Sequence, residues 1–358
     1  MKKNDVKKKE NTDNRSTKKT FLIILCVVLA MILALLIAVA VWLDSTLGLI
    51  GRDLDNSQMS ESEYQDFLNQ QAEEEQEPTD VTIDPNDINW DPSTGILETS
   101  ENIINILLIG QDRREGQGRQ RSDAMILCTL NLETKTLTMT SFMRDMYVQI
   151  PGYSDNRINA CYPIGGMPLL DSCLEENFGV AVDGNVEVDF GGFMDVIDML
   201  GGVDIELTSS EAAYLNRYGN WDVSDTAWTW SLKEGVNHLT GEQALAFSRI
   251  RDIGNGDFGR TERQRTVLTK VMEKCNGMSV TELNELLRKV LPMLTTDMTN
   301  SEILNYAMKV FPIMTDLKVN NLRIPADGTY RGASINNMSV LLPDLKENRK
   351  ILSEAMMK

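Results

Sequence analysis

The chain has 358 residues, 42% of them hydrophobic, and a formal net charge of −18. With an apolar N-terminal run set aside, that length leaves room for one large domain or two small ones. A nucleic-acid binder would show a basic domain, which this balance argues against, and one histidine with five cysteines, none in a CxxC pair, argues against a zinc or iron–sulfur centre.

Residues 1–20 hold eight Lys or Arg against three Asp or Glu, a net of +5. Phe21 to Leu43 follows as 23 apolar residues without a charge. At about 1.5 Å per residue this is roughly 34 Å of helix, enough to span a bilayer. It is too long for the core of a cleaved signal peptide, and Trp42 stands where an interfacial aromatic belongs. The basic tail then stays in the cytoplasm and residues 44–358 lie outside, as in a single-pass cell-membrane protein. Residues 44–101 carry sixteen acids against Arg52 alone, a net of −15. Ser60 to Glu77 reads as a polar helix. The rest, through Pro78, Pro85 and Pro92, reads as an extended acidic linker that holds the domain off the anionic membrane face.

A folded pattern begins at Asn102, and 102–358 reads as one domain. IINILLIG, AMILCTLNL and TLTMTSF are predicted strands, the last two separated by the turn-like ETK. GGMPLLDSCLEENFG is a predicted helix closed by Gly179. EVDFGGFMDVIDMLGG begins as a strand and becomes a helix, with Phe190, Phe193, Val196, Ile197 and Leu200 at helical spacing. VDIEL is another strand, and Thr240 caps the helix GEQALAFSR. Three amphipathic helices follow near 261–276, 279–294 and 300–312. A strand, LKVNNLRIP, comes next, then a last helix from about Ser339 with a break at Pro343. Strands alternating with helices predict an α/β domain with helices on both faces of a sheet. The sequence leaves open a disulfide among Cys128, Cys161, Cys173 and Cys275, and buried free thiols are the simpler expectation.

Charge gathers in four stretches. In GQDRREGQGRQRSDAMIL, Asp112 and Asp123 flank a loop with Arg113, Arg114, Arg119 and Arg121. Asp112 follows a strand, where α/β folds bind ligands, and two approaching carboxylates suit Mg²⁺ (or Mn²⁺) completed by phosphate oxygens and water. A solvated, salt-bridged loop would explain the same residues. SFMRDM places Arg144 at a strand end beside Asp145, and RINACYPIGG places Arg157 in a loop. In SRIRDIGNGDFGRTERQR, Arg249 and Arg251 precede a glycine-rich turn. Thr261 and Gln264 read as a capping box, which sets Arg260 at a helix N-terminus that favours an anion. Gln264 serves either the cap or a ligand, and Arg265 reads as a solvated helix arginine. Of fourteen basic residues between 102 and 265, eleven are arginines in these stretches. Arginine grips phosphate bidentately, at about 1.5–3 kcal/mol per charge-assisted hydrogen bond. No Walker A motif and no GxGxxG after a strand is present, so the anion is not an obvious nucleotide.

NILLIGQDRR, RSDAMIL, SFMRDMYVQIPGY, RINACYPIGG, VDFGGFMDVIDMLGGVDIEL and LTGEQALAFSRIRDIGNGDFGRTERQR, in this order, resemble the LytR–CpsA–Psr family. LRIPADGTY and LLPDLKENR extend the likeness toward the C-terminus. The resemblance implies an α/β/α sandwich around a central mixed sheet, near a long apolar pocket for a prenyl chain. It implies a wall-assembly phosphotransferase of Gram-positive type. Such enzymes move a polyprenyl-pyrophosphate-linked glycan (teichoic acid, capsule or similar) onto peptidoglycan through a phosphodiester, typically at the 6-hydroxyl of N-acetylmuramic acid. Matched by motif, Asp112 and Asp123 are the implied Mg²⁺ pair, and Arg121, Arg144, Arg157, Arg249, Arg251, Arg260 and Gln264 the implied pyrophosphate set. Arg157 stands where the family has lysine, and Cys161 where it has alanine. Asp123, Arg144, Arg249 and Arg251 are the expected catalytic residues, with Asp123 or Asp257 taking the acceptor's proton. His238 matches no family role and is expected to be structural. The alternative expectation is a non-catalytic polyprenyl-pyrophosphate or glycan binder that regulates or scaffolds wall assembly; a third is a pyrophosphatase that releases the glycan to water.

Overall fold

A computed structural model describes residues 42–53, 57–74, 81–90, 95–97, 100–113, 118–218 and 230–358. The expected membrane span Phe21–Leu43 lies outside the described residues but for its last two. Among the described residues no helix is long and apolar enough to cross a membrane. The chain forms two units, Met1–Leu49 and Ile50–Lys358, and the charged stretches all belong to the second.

In chain order the strands of this second unit are β1 (Gly51–Arg52), β2 (Ile103–Gln111), β3 (Ser122–Asn131), β4 (Thr136–Phe142), β5 (Tyr147–Val148), β6 (Asn156–Arg157), β7 (Gly184–Asp189), β8 (Val203–Leu207), β9 (Gly235–Leu239), β10 (Leu294–Thr296), β11 (Lys318–Ile324), β12 (Tyr330–Ile335) and β13 (Met338–Pro343). The α-helices are α1 (Glu61–Glu74), α2 (Cys161–Phe178), α3 (Phe190–Met199), α4 (Ser209–Tyr218), α5 (Gly241–Arg249), α6 (Asp257–Asn276), α7 (Val280–Val290), α8 (Asn300–Val310) and α9 (Leu345–Met357). The central sheet has seven strands in the order β1-β10-β7-β2-β3-β4-β11. It is mixed: β7 runs parallel to β2, β3 antiparallel to both β2 and β4, and β11 parallel to β4.

Period-two alternation gives this sheet two apolar faces. Leu107 and Ile109 of β2 with Met125 and Leu127 of β3 join α2 and α9 in one core. Ile104, Ile126, Leu130, Leu137 and Met139 face the other way, against Leu268, Met272, Tyr306 and Val310 of α6 and α8. Helices thus cover both faces, as the alternating pattern predicts. VDIEL is a strand, as expected, but it pairs with β9 in a separate ribbon whose core includes Ile197, Leu215 and Phe247. His238 lies in that ribbon, its ring held between Asp204 and the Gly201 carbonyl at 2.7 Å each. Cys128, Cys161, Cys173 and Cys275 are free thiols.

Three expectations are overturned. The last helix starts at Leu345, because Met338–Pro343 pairs with Tyr330–Ile335 as a hairpin, turned through Asn336 and Asn337 at positive φ. Helix α6 starts at Asp257, with Gly256 at φ 58° as its N-cap, so Thr261 and Gln264 make no capping box; the Thr261 hydroxyl donates to the Phe258 carbonyl instead. Arg265 is buried rather than solvated and donates to Ser141 Oγ at 2.6 Å.

The acidic stretch expected as a spacer is also drawn onto the domain. Helix α1 occurs within the expected 60–77, but Tyr64 is buried against Tyr153, ring centroids 5.0 Å apart. Gln71 and Asn156 exchange buried amide hydrogen bonds. Trp90 stacks on Tyr147 and donates to Asp155. The apolar minority of that stretch supplies most of these contacts. Tyr64→Ala should therefore cost about 3 kcal/mol of stability, read as a lower unfolding midpoint; an unchanged midpoint would return this segment to the role of a spacer.

Candidate functional site

Strand direction brings the charged stretches together. Because β2 and β4 run parallel with β3 reversed between them, the end of β2, the start of β3 and the end of β4 share one edge of the sheet. Asp112 follows β2, Asp123 opens β3, and Arg144 follows β4. Asp123 sits in a β-bulge: Ala124 pairs with Gly110 and Ser122 with Gln111, leaving Asp123 as the extra residue. Bulges re-aim side chains in this way. Gly110 allows the close approach, since a Cβ there would meet Ala124 Cβ at 3.2 Å.

Below the Asp112 loop lies a carboxylate the sequence did not advertise. Glu187 of β7 is 3% exposed. Tyr162 donates to it at 2.6 Å, Gln111 donates to its other oxygen, and Arg113 pairs with it at 3.2 Å. Gln111 also accepts from the Gln120 backbone N–H at 2.9 Å. Both ends of the 112–121 loop are thereby tied to one buried acid. Burial beside Glu187 pushes the Tyr162 hydroxyl well above its ordinary pKa.

The arginines are already paired. Arg144 donates to Asp123 and lies 3.6 Å from Asp145. Burial opposes its charge, but Asp145, Asp123 and Asp257 outweigh that and hold its pKa above the ordinary value. Arg249 lies 3.8 Å from Asp112, with its guanidinium 4.5 Å from the centre of the Phe190 ring. Arg251 approaches Asp257 at 3.6 Å, and Arg260 donates to Asp257 at 2.9 Å. Arg260 is only 2% exposed, and its Nε has no hydrogen-bond partner. Burial lowers its pKa to about 10, against the pull of Asp257. Burial raises the pKa of Asp257, while Arg260, Arg144 and Arg251 work to lower it.

The remaining expected residues sit at the rim or serve as anchors. Arg121 lies over the Phe67 ring at 5.3 Å and lines, with Asp112, Asp123, Gln120 and Arg119, a cleft of about 570 Å³. Gln264 is half-buried on α6, one turn past Arg260 and on the same face. Arg157 reaches the Ser339 carbonyl at 2.6 Å and Asp145 at 3.8 Å, so it ties β6 to the β12–β13 hairpin. Arg263 belongs to the scaffold: it donates to Glu211 at 2.7 Å and to the Ile250 carbonyl at 3.1 Å. Tyr214 donates to Asp252 at 2.8 Å. Together they hold the 250–256 loop that carries Arg251 and follows Arg249, and Gly254 and Gly256 supply its left-handed turns at φ 69° and 58°.

Asp112 and Asp123 open on one cleft and offer hard oxygen donors. Among the described residues no third His, Cys, Asp or Glu joins them as a metal cluster. That donor set fits an ion such as Mg²⁺, which keeps water and takes phosphate oxygens beside one or two carboxylates. Chemically, the edge offers a ring of guanidinium groups for a compact polyanion and carboxylates that can hold a cation or take up a proton.

Known proteins share this framework. The LytR_cpsA_psr family model matches residues 57–356. Regulatory protein MsrR of Staphylococcus aureus (strain COL) is 31% identical over 250 residues, which are 69% of this chain and 72% of that one. The polyisoprenyl-teichoic acid–peptidoglycan teichoic acid transferase TagU of Bacillus mycoides (strain KBAB4) is 31% identical over 228 residues, 63% and 69% of the two chains. The crystal structure of B. subtilis TagV aligns with a TM-score of 0.56 at 29% identity, covering 72% of this chain and 99% of that one.

The anchoring of the 250–256 loop is directly measurable. Arg263→Met removes the link between Glu211 and the Ile250 carbonyl, so amide hydrogen exchange across 250–256 should quicken about tenfold or more while the sheet core stays protected. Unchanged exchange in the loop would show that it holds itself.

Proposed function

The chain belongs to the LytR–CpsA–Psr family, and from that premise we propose that it attaches a polyprenyl-pyrophosphate-linked anionic glycopolymer, such as a teichoic acid or capsule chain, to peptidoglycan through a phosphodiester. The observation that carries this reading is the clustering of Arg144, Arg249, Arg251 and Arg260 with Asp112, Asp123 and Asp257 at one sheet edge. The name of the TagU relative, a teichoic acid transferase acting on peptidoglycan, supports it.

The residues divide the work. Arg144, Arg249, Arg251 and Arg260 bind and neutralise the pyrophosphate, with Arg121 and Gln264 at its margins. Arg157 acts through Asp145 as a positioning residue, since its own donors are engaged with Ser339. Asp112 and Asp123 are the residues that would hold Mg²⁺ (or Mn²⁺), which when bound offsets phosphate charge. The acceptor hydroxyl oxygen forms a bond to the sugar-bearing phosphorus, the bond to the bridging oxygen breaks, and polyprenyl phosphate leaves. The acceptor's proton passes to Asp123 or Asp257, and burial favours Asp257 by raising its proton affinity. The arginines stabilise the charge that develops on the leaving phosphate. In keeping with this chemistry, Phe21–Leu43 anchors the protein in the cell membrane and the domain works on the outer side, where peptidoglycan lies.

A regulator or scaffold that only binds the lipid is the second reading, favoured by the name of the MsrR relative. Transfer from a polyprenyl-pyrophosphate glycan to peptidoglycan fragments in the presence of Mg²⁺ separates the two. Wild type should join the glycan to the fragments, and Arg249→Ala or Asp123→Asn should lower the rate by about 10²–10³. Lipid binding without transfer by wild type would favour the regulator; release of free glycan phosphate would mean that water is the acceptor.

A further inference from the structure

A second cleft, of about 520 Å³, lies under the β12–β13 hairpin. Trp90 and Tyr330 supply rings to its lining; Asp87, Asn89, Arg331 and Asp344 supply polar groups. Both rings are fixed from behind. Trp90 stacks on Tyr147 and donates to Asp155, and Tyr330 leans on Phe258 with centroids 5.5 Å apart. Phe258 is itself covered by the Arg323 guanidinium at 4.3 Å. Asp87 and Asn89 are exposed. Rigid aromatic faces beside amide and carboxylate groups match a sugar ring, whose C–H face is apolar and whose rim carries hydroxyl and acetamido groups.

The cleft is coupled to the charged edge twice. Phe258 follows Asp257 in α6 and touches Tyr330. Strand β13 receives Arg157 at Ser339, donates from Leu341 to the Asp145 carbonyl, and lines the cleft from Leu342 onward. Ser339 to Leu342 is three residues, about 10 Å of strand. Charge then chooses between the two glycans of the reaction. Two carboxylates against Arg331 make the lining net negative, which disfavours a phosphate-bearing polymer and tolerates an uncharged amino-sugar backbone.

We propose that the cleft between Trp90 and Tyr330 binds the amino-sugar backbone of the acceptor glycan and delivers its hydroxyl to the charged edge. The proposal rests on the transferase reading, and it adds an acceptor subsite of named residues.

The test uses the full-length chain in detergent and, as probe, the disaccharide N-acetylglucosaminyl-N-acetylmuramic acid with its lactyl carboxyl capped as an amide so that it carries no charge, followed by calorimetry. A glycerol phosphate oligomer serves as the anionic competitor. Wild type should bind the disaccharide. Trp90→Ala should weaken that binding at least tenfold, with short-chain polyprenyl pyrophosphate binding unchanged. Because Trp90 also supports Tyr147, the exposed pair Asp87→Ala with Asn89→Ala is measured beside it and should lose affinity with no change in melting temperature. Equal disaccharide affinity in wild type and both variants would overturn the proposal, as would no disaccharide binding by wild type or stronger binding of the glycerol phosphate oligomer. The transferase reading fails separately, by absence of transfer while the disaccharide still binds as expected.

Discussion

A guanidinium that is 2% exposed must have a counter-charge, and Arg260 has Asp257. Much of the site follows from that constraint. Asp257 is shared with Arg251, and Arg144 lies between Asp123 and Asp145 within reach of Asp257's field. Removing one member strands a charge where water screens it poorly, so the cluster changes by exchange of partners more readily than by loss of one. A pyrophosphate that takes the arginines frees carboxylates, and the freed carboxylates in turn seek a cation or a proton. The proposed roles of the arginines, of Mg²⁺ and of the proton acceptor are therefore linked through one set of ion pairs.

The backbone makes this concentration of charge tolerable. Three strand ends on one edge bring distant stretches together without long loops between them. The bulge at Asp123 turns a residue that would otherwise continue the alternation of β3 into the cleft. Glu187 plays the complementary part from below, since its hydrogen bonds to Gln111 and Tyr162 fix the strand end from which Asp112 projects. On the far side, Arg263 and Tyr214 tie down the glycine-rich loop between α5 and α6.

Much of this was legible in the sequence, and what was not has physical reasons. The sheet strands and the helices capped by Gly179 and Thr240 announce themselves through periodicity and caps. Asp112, Asp123, Arg144, Arg249, Arg251 and Arg260 stood out as charges at element ends, and these the fold gathers. Arg265 was misread because helical spacing cannot distinguish a solvated arginine from one that reaches across the sheet edge to Ser141. The Thr261–Gln264 capping box is not formed because T-x-x-Q also occurs inside a helix, here one that begins four residues before Thr261 at Asp257, which leaves the ligand role for Gln264. The β12–β13 hairpin was missed because its turn is Asn336–Asn337 rather than Asn-Gly, and Pro343 resembled a helix break. Glu187 gave no signal at all, since a carboxylate alternating in a strand looks solvent-facing until Tyr162, Gln111 and Arg113, from other parts of the chain, close on it. The acidic composition of 57–97 concealed Tyr64 and Trp90, whose burial depends on partners far along the chain.

Partner exchange in the ion-pair cluster is tested most directly by the affinity for a short-chain polyprenyl pyrophosphate in the absence of divalent cations, with wild type compared to Asp123→Asn. If Arg144 must leave Asp123 to reach the anion, the variant starts with that arginine released and should bind several-fold more tightly. Added Mg²⁺ should then favour wild type and reverse the order. Weaker binding by Asp123→Asn without divalent cations would contradict partner exchange, and would make the Asp123–Arg144 pair a fixed part of the scaffold.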